Sequence, residues 1–382
     1  MKQQNIRSQA LDLLRFPLAV VILTIHTFNL DGITLNGEVF TFHDSMFFRE
    51  LNYFIDSFLR GQSVPIYFFI SGYVFFINID IFDKGAYFRK LKNRLHTLLI
   101  PYIIWNFLAI IATLLPRMFS AFSHFISYKG GETVITLQSV LACFWMYHGE
   151  MSPLSPGDAG YEVMQSSISP INVPLWFLRE LMIIVVLTPV LHYLIKKGGK
   201  AFICILAVVW FAVEHAGNDL LSLHTNSLFF FAWGAYLSIN RIDMIKTFSR
   251  YFRTSVAAYI VLGILGMVSL NFFPEAELTI KRLNIVAGLV MAYNIAAWLI
   301  TAKGIKPDRF LSASSFFIYV SHIIVCQKVS KLLFVCFKPS DGLEMSLMLL
   351  TSVLITLGLL LAVYAGMKKF TPALLTFMTG RK

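Results

Sequence analysis

The sequence predicts an all-α protein that crosses a membrane many times, and three observations carry the prediction. Hydrophobic residues make up 57% of the 382 residues and charged ones only 14%, against roughly a quarter charged in a soluble domain. Apolar runs of about 20 residues, each long enough to cross a bilayer core as a helix, recur from one end to the other. The alternating segments of about ten residues that mark a membrane β-barrel are absent.

The first apolar run, 11–30, is too long for the hydrophobic region of a signal peptide and lacks a small-residue cleavage site, so it reads as a span. The second, 64–79, is short. Its helix would begin near Tyr53, with Arg60 and Gln62 facing protein. The others are 95–116, 173–195, 200–216, 220–239, 254–272, 283–301, 310–336 and 343–367. One further apolar segment, 134–148, is about 15 residues long and suits an interfacial or re-entrant helix. Charge decides whether it crosses. If it does not, and the N-terminus is cytoplasmic, the inner loops hold about three times as many Lys and Arg as the longer outer ones. If it does, that bias largely disappears. The expectation is therefore about ten transmembrane helices with both termini cytoplasmic. They form a single membrane domain over 1–382, with a long extracytoplasmic loop at 117–172.

The net charge of +11 does not point to nucleic acid, because the basic residues sit in short loops between apolar runs and no recognition module is visible. The four cysteines, Cys143, Cys204, Cys326 and Cys336, lack metal or redox spacing and read as small packing residues. No metal site is expected. No internal repeat stands out, which weighs against a transporter built from repeated halves.

Ionisable groups inside the spans are the first candidates for chemistry, since such groups are costly in hydrocarbon unless they face a polar interior. The stretch RFPLAVVILTIH places Arg15 and His26 eleven residues apart. On a helix they lie about 16–17 Å apart along the axis and nearly on one face. Together they would line one aqueous path. Two plainer readings stand beside this: Arg15 snorkelling to inner headgroups, and His26 hydrogen-bonded between helices. In SSFFIYVSHIIV, Ser315, Tyr319 and His322 share a face and form a polar stripe. In FRKLKNRLHTLLIPY, Arg89, Lys90, Lys92, Arg94 and His96 crowd the start of the third span. Beyond setting orientation, such a cluster suits a polyanionic ligand such as a nucleotide phosphate.

Taken in order, these motifs resemble the acyltransferase-3 family of bacterial integral membrane acyltransferases. The resemblance rests on Arg15 and His26 in LDLLRFPLAVVILTIH and on Ser71, Gly72 and Tyr73 in VPIYFFISGYVFF. It continues through Arg94, Pro101 and Tyr102 in RLHTLLIPYIIW, Trp176 to Leu178 in VPLWFLREL, and the Ser, Ile–Tyr and His of SFFIYVSH. It covers about 10–367. Members often carry a second basic residue close before the proline, where this chain has His96 and Thr97, and some carry an esterase-like extension that is missing here.

The resemblance implies transfer of an acyl group, most often acetyl from acetyl-CoA, to a hydroxyl of a sugar in an envelope glycan or glycolipid. The setting would be the bacterial cytoplasmic membrane. Acyl-CoA is then a co-substrate, with no permanently bound cofactor. Arg89, Lys92, Arg94 and His96 would meet its phosphates. His26 would serve as the base, while Arg15 would hold the donor or stabilise charge. Ser71, Tyr73, Trp176, Tyr319 and His322 would line the cavity or orient the acceptor. Trp145, Tyr147, His148 and Tyr161 of the outer loop read equally as sugar-stacking faces and as an interfacial aromatic belt. The competing class is a transporter of glycan or lipid-linked sugar, in which the same Arg and His would relay protons or touch cargo.

Overall fold

In a computed structural model, the chain is described except at residues 1, 29, 31, 36–37, 78, 80, 119–136, 146–168, 216–218 and 381–382. Among the described residues its regular structure is helical apart from one small hairpin, β1 (Ile33–Leu35) with β2 (Glu38–Phe40), paired antiparallel. The helices are α1 (Lys2–Thr27), α2 (Met46–Phe54), α3 (Ser63–Phe76), α4 (Lys84–Arg94), α5 (Ile100–Met118), α6 (Leu137–Ala142) and α7 (Trp176–Val186). They continue as α8 (Thr188–His215), α9 (Asp219–Ile239), α10 (Met244–Ser249), α11 (Phe252–Phe272), α12 (Pro274–Thr301), α13 (Arg309–Phe337), α14 (Gly342–Phe370) and α15 (Pro372–Thr379). Among the described residues, six stretches are long and apolar enough to cross a membrane, and a seventh is added if the bent pair Val173–Val186 and Thr188–Val213 is one span.

The difference from the expected ten has local causes. At 64–79 the apolar helix α3 is only 14 residues long, and it follows α2 through a π-helical turn, Ile55–Arg60. The predicted 173–195 bends by 67° between α7 and α8. Gly199, at φ 53, breaks α8 again where the sequence separates 195 from 200. The segment 134–148 holds only the six residues of α6 among those described, too few to cross. Beyond α6, Cys143 packs with Ile110, Phe144 and Ile171.

The chain divides into two compact units, and α1 runs from the first into the second at Ile22. Unit one comprises 1–22, 53–94 and 180–315. Its centre is the crossing of α3 with α9, where the backbones touch. A Cβ on Gly72 would lie 2.0 Å from the Phe231 carbonyl oxygen, and one on Gly234 would lie 2.0 Å from that of Phe69. Small residues at such a crossing let dispersion contacts replace the hydrophobic effect that lipid cannot supply. The π-helical turn is tied to α12 by buried amides: Gln62 Nε2 donates to the Asn284 carbonyl at 3.2 Å, and Asn284 Nδ2 to the Ser57 carbonyl at 2.9 Å. Asp56 pairs with both Arg60 and Lys281 at 2.7 Å. Gln62 therefore faces protein, as expected, whereas Arg60 is exposed and pairs with Asp56 on its own turn.

Unit two comprises 23–52, 95–179 and 316–382. Its α13 and α14 share a buried hydroxyl contact, Ser330 to Ser352, at 2.7 Å. The hairpin rests on α13 through Phe40 and Phe334, whose ring centres are 4.8 Å apart. The short α15 closes on α5, where Trp105 Nε1 donates to the Met378 carbonyl at 2.9 Å.

Candidate active site

Unit one gathers the cations. Arg15 is half-exposed and pairs with Asp12 at 2.9 Å, one helical turn earlier. Its backbone carbonyl accepts from the Tyr67 hydroxyl at 2.8 Å. Arg94, at the end of α4, lies within electrostatic reach of Arg15. Among the described residues the half-buried Arg94 guanidinium makes no hydrogen bond or ion pair. Lys90 stands 5.8 Å from the Phe75 ring centre, and Arg89 and Lys92 are exposed. A guanidinium facing other cations, with no carboxylate of its own, is arranged for an anion from outside the chain.

The other expected residues of unit one fall elsewhere. Tyr73 is buried, and its hydroxyl accepts from Arg7 at 3.4 Å, while Arg7 also pairs with Asp243 at 3.2 Å. Ser71 is half-buried on α3, one residue before the glycine crossing. His96 belongs to unit two, in the π-helical turn Leu95–Leu99, where its Nδ1 is buried without a partner.

Unit two gathers the histidines. His26, near the end of α1, and His322, in the middle of α13, face one another with ring centres 5.3 Å apart and planes at 42°. His322 is fully buried. Its Nδ1 lies 2.7 Å from the Tyr319 carbonyl oxygen and 3.2 Å from that of Ile318. Carbonyl oxygens only accept, so Nδ1 carries the proton and the lone pair sits on Nε2. That Nε2 is buried and has no hydrogen-bond partner. Leaving such a nitrogen unsatisfied costs about 1–3 kcal/mol, which calls for an explanation.

The helix that presents His322 is held from the side. Asn172, fully buried, donates from Nδ2 to the Val320 carbonyl at 3.0 Å and to the Trp105 carbonyl at 3.3 Å. The Tyr319 hydroxyl donates to the Pro174 carbonyl, so it is spent on structure, and Ser315 bonds back to the Leu311 carbonyl at 2.9 Å. Trp176 opens α7, half-buried. Of the outer-loop aromatics, Trp145 is exposed, with the Arg179 guanidinium 5.4 Å from its ring centre. Tyr147, His148 and Tyr161 lie outside the described residues.

One pair escaped the sequence reading. Glu180, buried on α7, accepts from Nδ1 of the partly exposed His224 on α9 at 2.7 Å. Its carboxylate stands in WFLREL, where Trp176 to Leu178 drew the attention. The only available signal was an acidic residue inside an apolar run.

Two groups of residues thus emerge: the cations around Arg94 in unit one, and the facing imidazoles of His26 and His322 in unit two. Residues 8–367 match the acyltransferase domain family. The chain belongs to the acyltransferase-3 family. As a member it is a multi-pass membrane protein and uses an acyl donor. Among curated proteins, the succinoglycan biosynthesis protein ExoH of Rhizobium meliloti (strain 1021) is 25% identical over 339 residues, spanning 87% of this chain and 82% of that protein. No solved structure matches the chain.

Proposed function

We propose that this acyltransferase transfers acetyl from acetyl-CoA to a hydroxyl of a cell-envelope sugar or glycolipid. One membrane domain of ten spans would do so, with both termini on the cytoplasmic side of the bacterial inner membrane. The observation that carries the donor half is Arg94, a half-buried guanidinium near Arg15 with no carboxylate partner among the described residues. The diphosphate and 3′-phosphate of CoA supply the missing negative charge, with Arg89, Lys92 and His96 as further contacts. The basic mouth suits a cytosolic donor on the side that the Lys and Arg bias assigns to the cytoplasm.

In the reaction the acceptor oxygen attacks the thioester carbon, the carbon–sulfur bond breaks, and the hydroxyl proton must be removed as the new ester forms. His26 takes that proton. Arg15 holds the donor or stabilises the negative charge that develops. Ser71, Tyr73, Trp176, Tyr319 and His322 are assigned to lining a cavity or orienting the acceptor. The relative that takes part in succinoglycan biosynthesis supports a polysaccharide or its lipid-linked precursor as acceptor.

The test uses membranes containing wild type, His26→Ala or Arg94→Ala, supplied with radiolabelled acetyl-CoA and, in parallel, succinyl-CoA. Label should enter the glycan or glycolipid fraction with wild type and not with His26→Ala at equal membrane insertion. Label carried only from succinyl-CoA would replace the acetyl assignment. No label from either donor, with acceptor present, would remove the acyltransferase reading of the site and bring the transporter forward.

A further inference from the structure

The unsatisfied Nε2 of His322 is the strongest unexplained feature outside the roles already assigned, and it lies beside the group assigned as base. We infer that His322 is a positioning residue for His26: its Nε2 accepts a hydrogen bond from a ring N–H of His26, which sets the orientation of the other His26 nitrogen towards the acceptor hydroxyl. The inference rests on the reading of His26 as the base.

The geometry favours this over contact between His322 and substrate. His322 is fully buried, whereas His26 is half-buried. A hydrogen bond of about 2.9 Å between two ring nitrogens, plus about 1.1 Å from each nitrogen to its ring centre, spans roughly 5.1 Å. The observed centres are 5.3 Å apart. The rings already stand at hydrogen-bonding separation, with 42° between their planes. The neighbouring contact of Thr27 with Cys326, one residue beyond His26 and four beyond His322, holds α1 against α13 at this point.

The tautomer of His322 is set by chain geometry. Both acceptors at its Nδ1 belong to the helix carbonyls of α13, so Nε2 can only accept. Among the described residues, no carboxylate or cation acts on the imidazole. The other titratable groups beside the pair are Tyr319, with its ring centre 6.4 Å from that of His322, and Cys326. A neutral imidazole therefore does for His26 what a carboxylate does in a Ser–His–Asp triad: it selects the tautomer and holds the ring. Unlike a carboxylate, it does so without burying a charge in the membrane.

The test compares His322→Gln, His322→Asn and His322→Leu with wild type, as steady-state transfer at equal insertion. Gln places an amide oxygen about where Nε2 lies, whereas Asn reaches only to the Nδ1 position and Leu offers no acceptor. Leu and Asn should lower kcat about tenfold to a hundredfold, the scale of losing an orienting hydrogen bond. KM for acyl-CoA should change less than about threefold, because binding of the donor is untouched. Gln should recover most of kcat. If Leu fails to insert, the Gln and Asn pair decides alone. Equal kcat in Gln and Asn, or a Leu variant at wild-type rate, overturns the inference while leaving His26 as base. Absence of transfer in wild type overturns the reading beneath it.

Discussion

The ion pairs of unit one and the buried polar groups of unit two are satisfied by different kinds of partner. In unit one, charged side chains are satisfied mainly by other side chains: Arg7 by Asp243, Arg15 by Asp12, Arg60 and Lys281 by Asp56, His224 by Glu180. In unit two, buried polar side chains turn to backbone carbonyls, as Asn172, Tyr319, Trp105 and Arg179 do. Each unit has one conspicuous departure from its own rule. Arg94 has no side-chain partner among the described residues, and His322 meets carbonyls at one nitrogen and nothing at the other. A polar group left over after its surroundings have been satisfied is a better guide to chemistry than charge or burial alone.

Breaking the comparison at unit two should have the largest effect. His26→Ala removes the proposed base and should lower acyl transfer about 10²- to 10⁴-fold, read as label incorporated per inserted protein. A variant within tenfold of wild type would move the base elsewhere. Breaking it at unit one comes next. Arg94→Ala should raise KM for acyl-CoA about tenfold to a hundredfold, the equivalent of one charge-assisted bond of about 1.5–3 kcal/mol, with little change in kcat. A fall in kcat at constant KM would instead place Arg94 at the reacting centre.

The remaining predictions sharpen the contrast between structure and chemistry. Gly72→Val or Gly234→Val should cost about 1–3 kcal/mol through overpacking at the α3–α9 crossing, measured as a lower thermal midpoint in detergent. Glu180→Gln loosens the pair with His224 and should cost about 1 kcal/mol. Its KM should stay within about twofold, which distinguishes a paired carboxylate from Arg94. The smallest effect belongs to the exposed Lys92→Ala, where KM should shift less than about threefold because a solvated charge contributes little.

Much of this was legible in the sequence because its signals are local. Arg15 and His26 declare themselves by spacing on one helix, and His322 by its place in an apolar run. The break near Gly199 follows from a Gly–Gly pair among lysines. Length failed as a guide at α3, where a helix of 14 residues continues an earlier one through a π-helical turn that no periodicity announces. The bend between α7 and α8 falls at Leu187, just before Thr188-Pro189, and a helix-breaking proline is a signal that hydropathy alone does not read. The hairpin β1–β2 did have a signal: the dipeptide Asn36-Gly37 stands between its strands in the sequence, a frequent two-residue hairpin loop. Glu180 and His224 stand 44 residues apart, and a pair at that separation is visible only after folding.

The reciprocal glycines of α3 and α9 also limit how unit one can move. Where two backbones touch, neither helix can slide along the other without driving a side chain into a carbonyl, because neighbouring positions carry Phe69, Tyr73, Phe231 and Ala235. Rotation about the contact is opposed by the ring contacts Phe69–Trp233 and Phe75–Phe231 rather than by backbone. The crossing therefore behaves as a pivot, and a conformational cycle in unit one would proceed by tilting α3 against α9. The residues farthest from Gly72 and Gly234 along each helix would then travel the greatest distance.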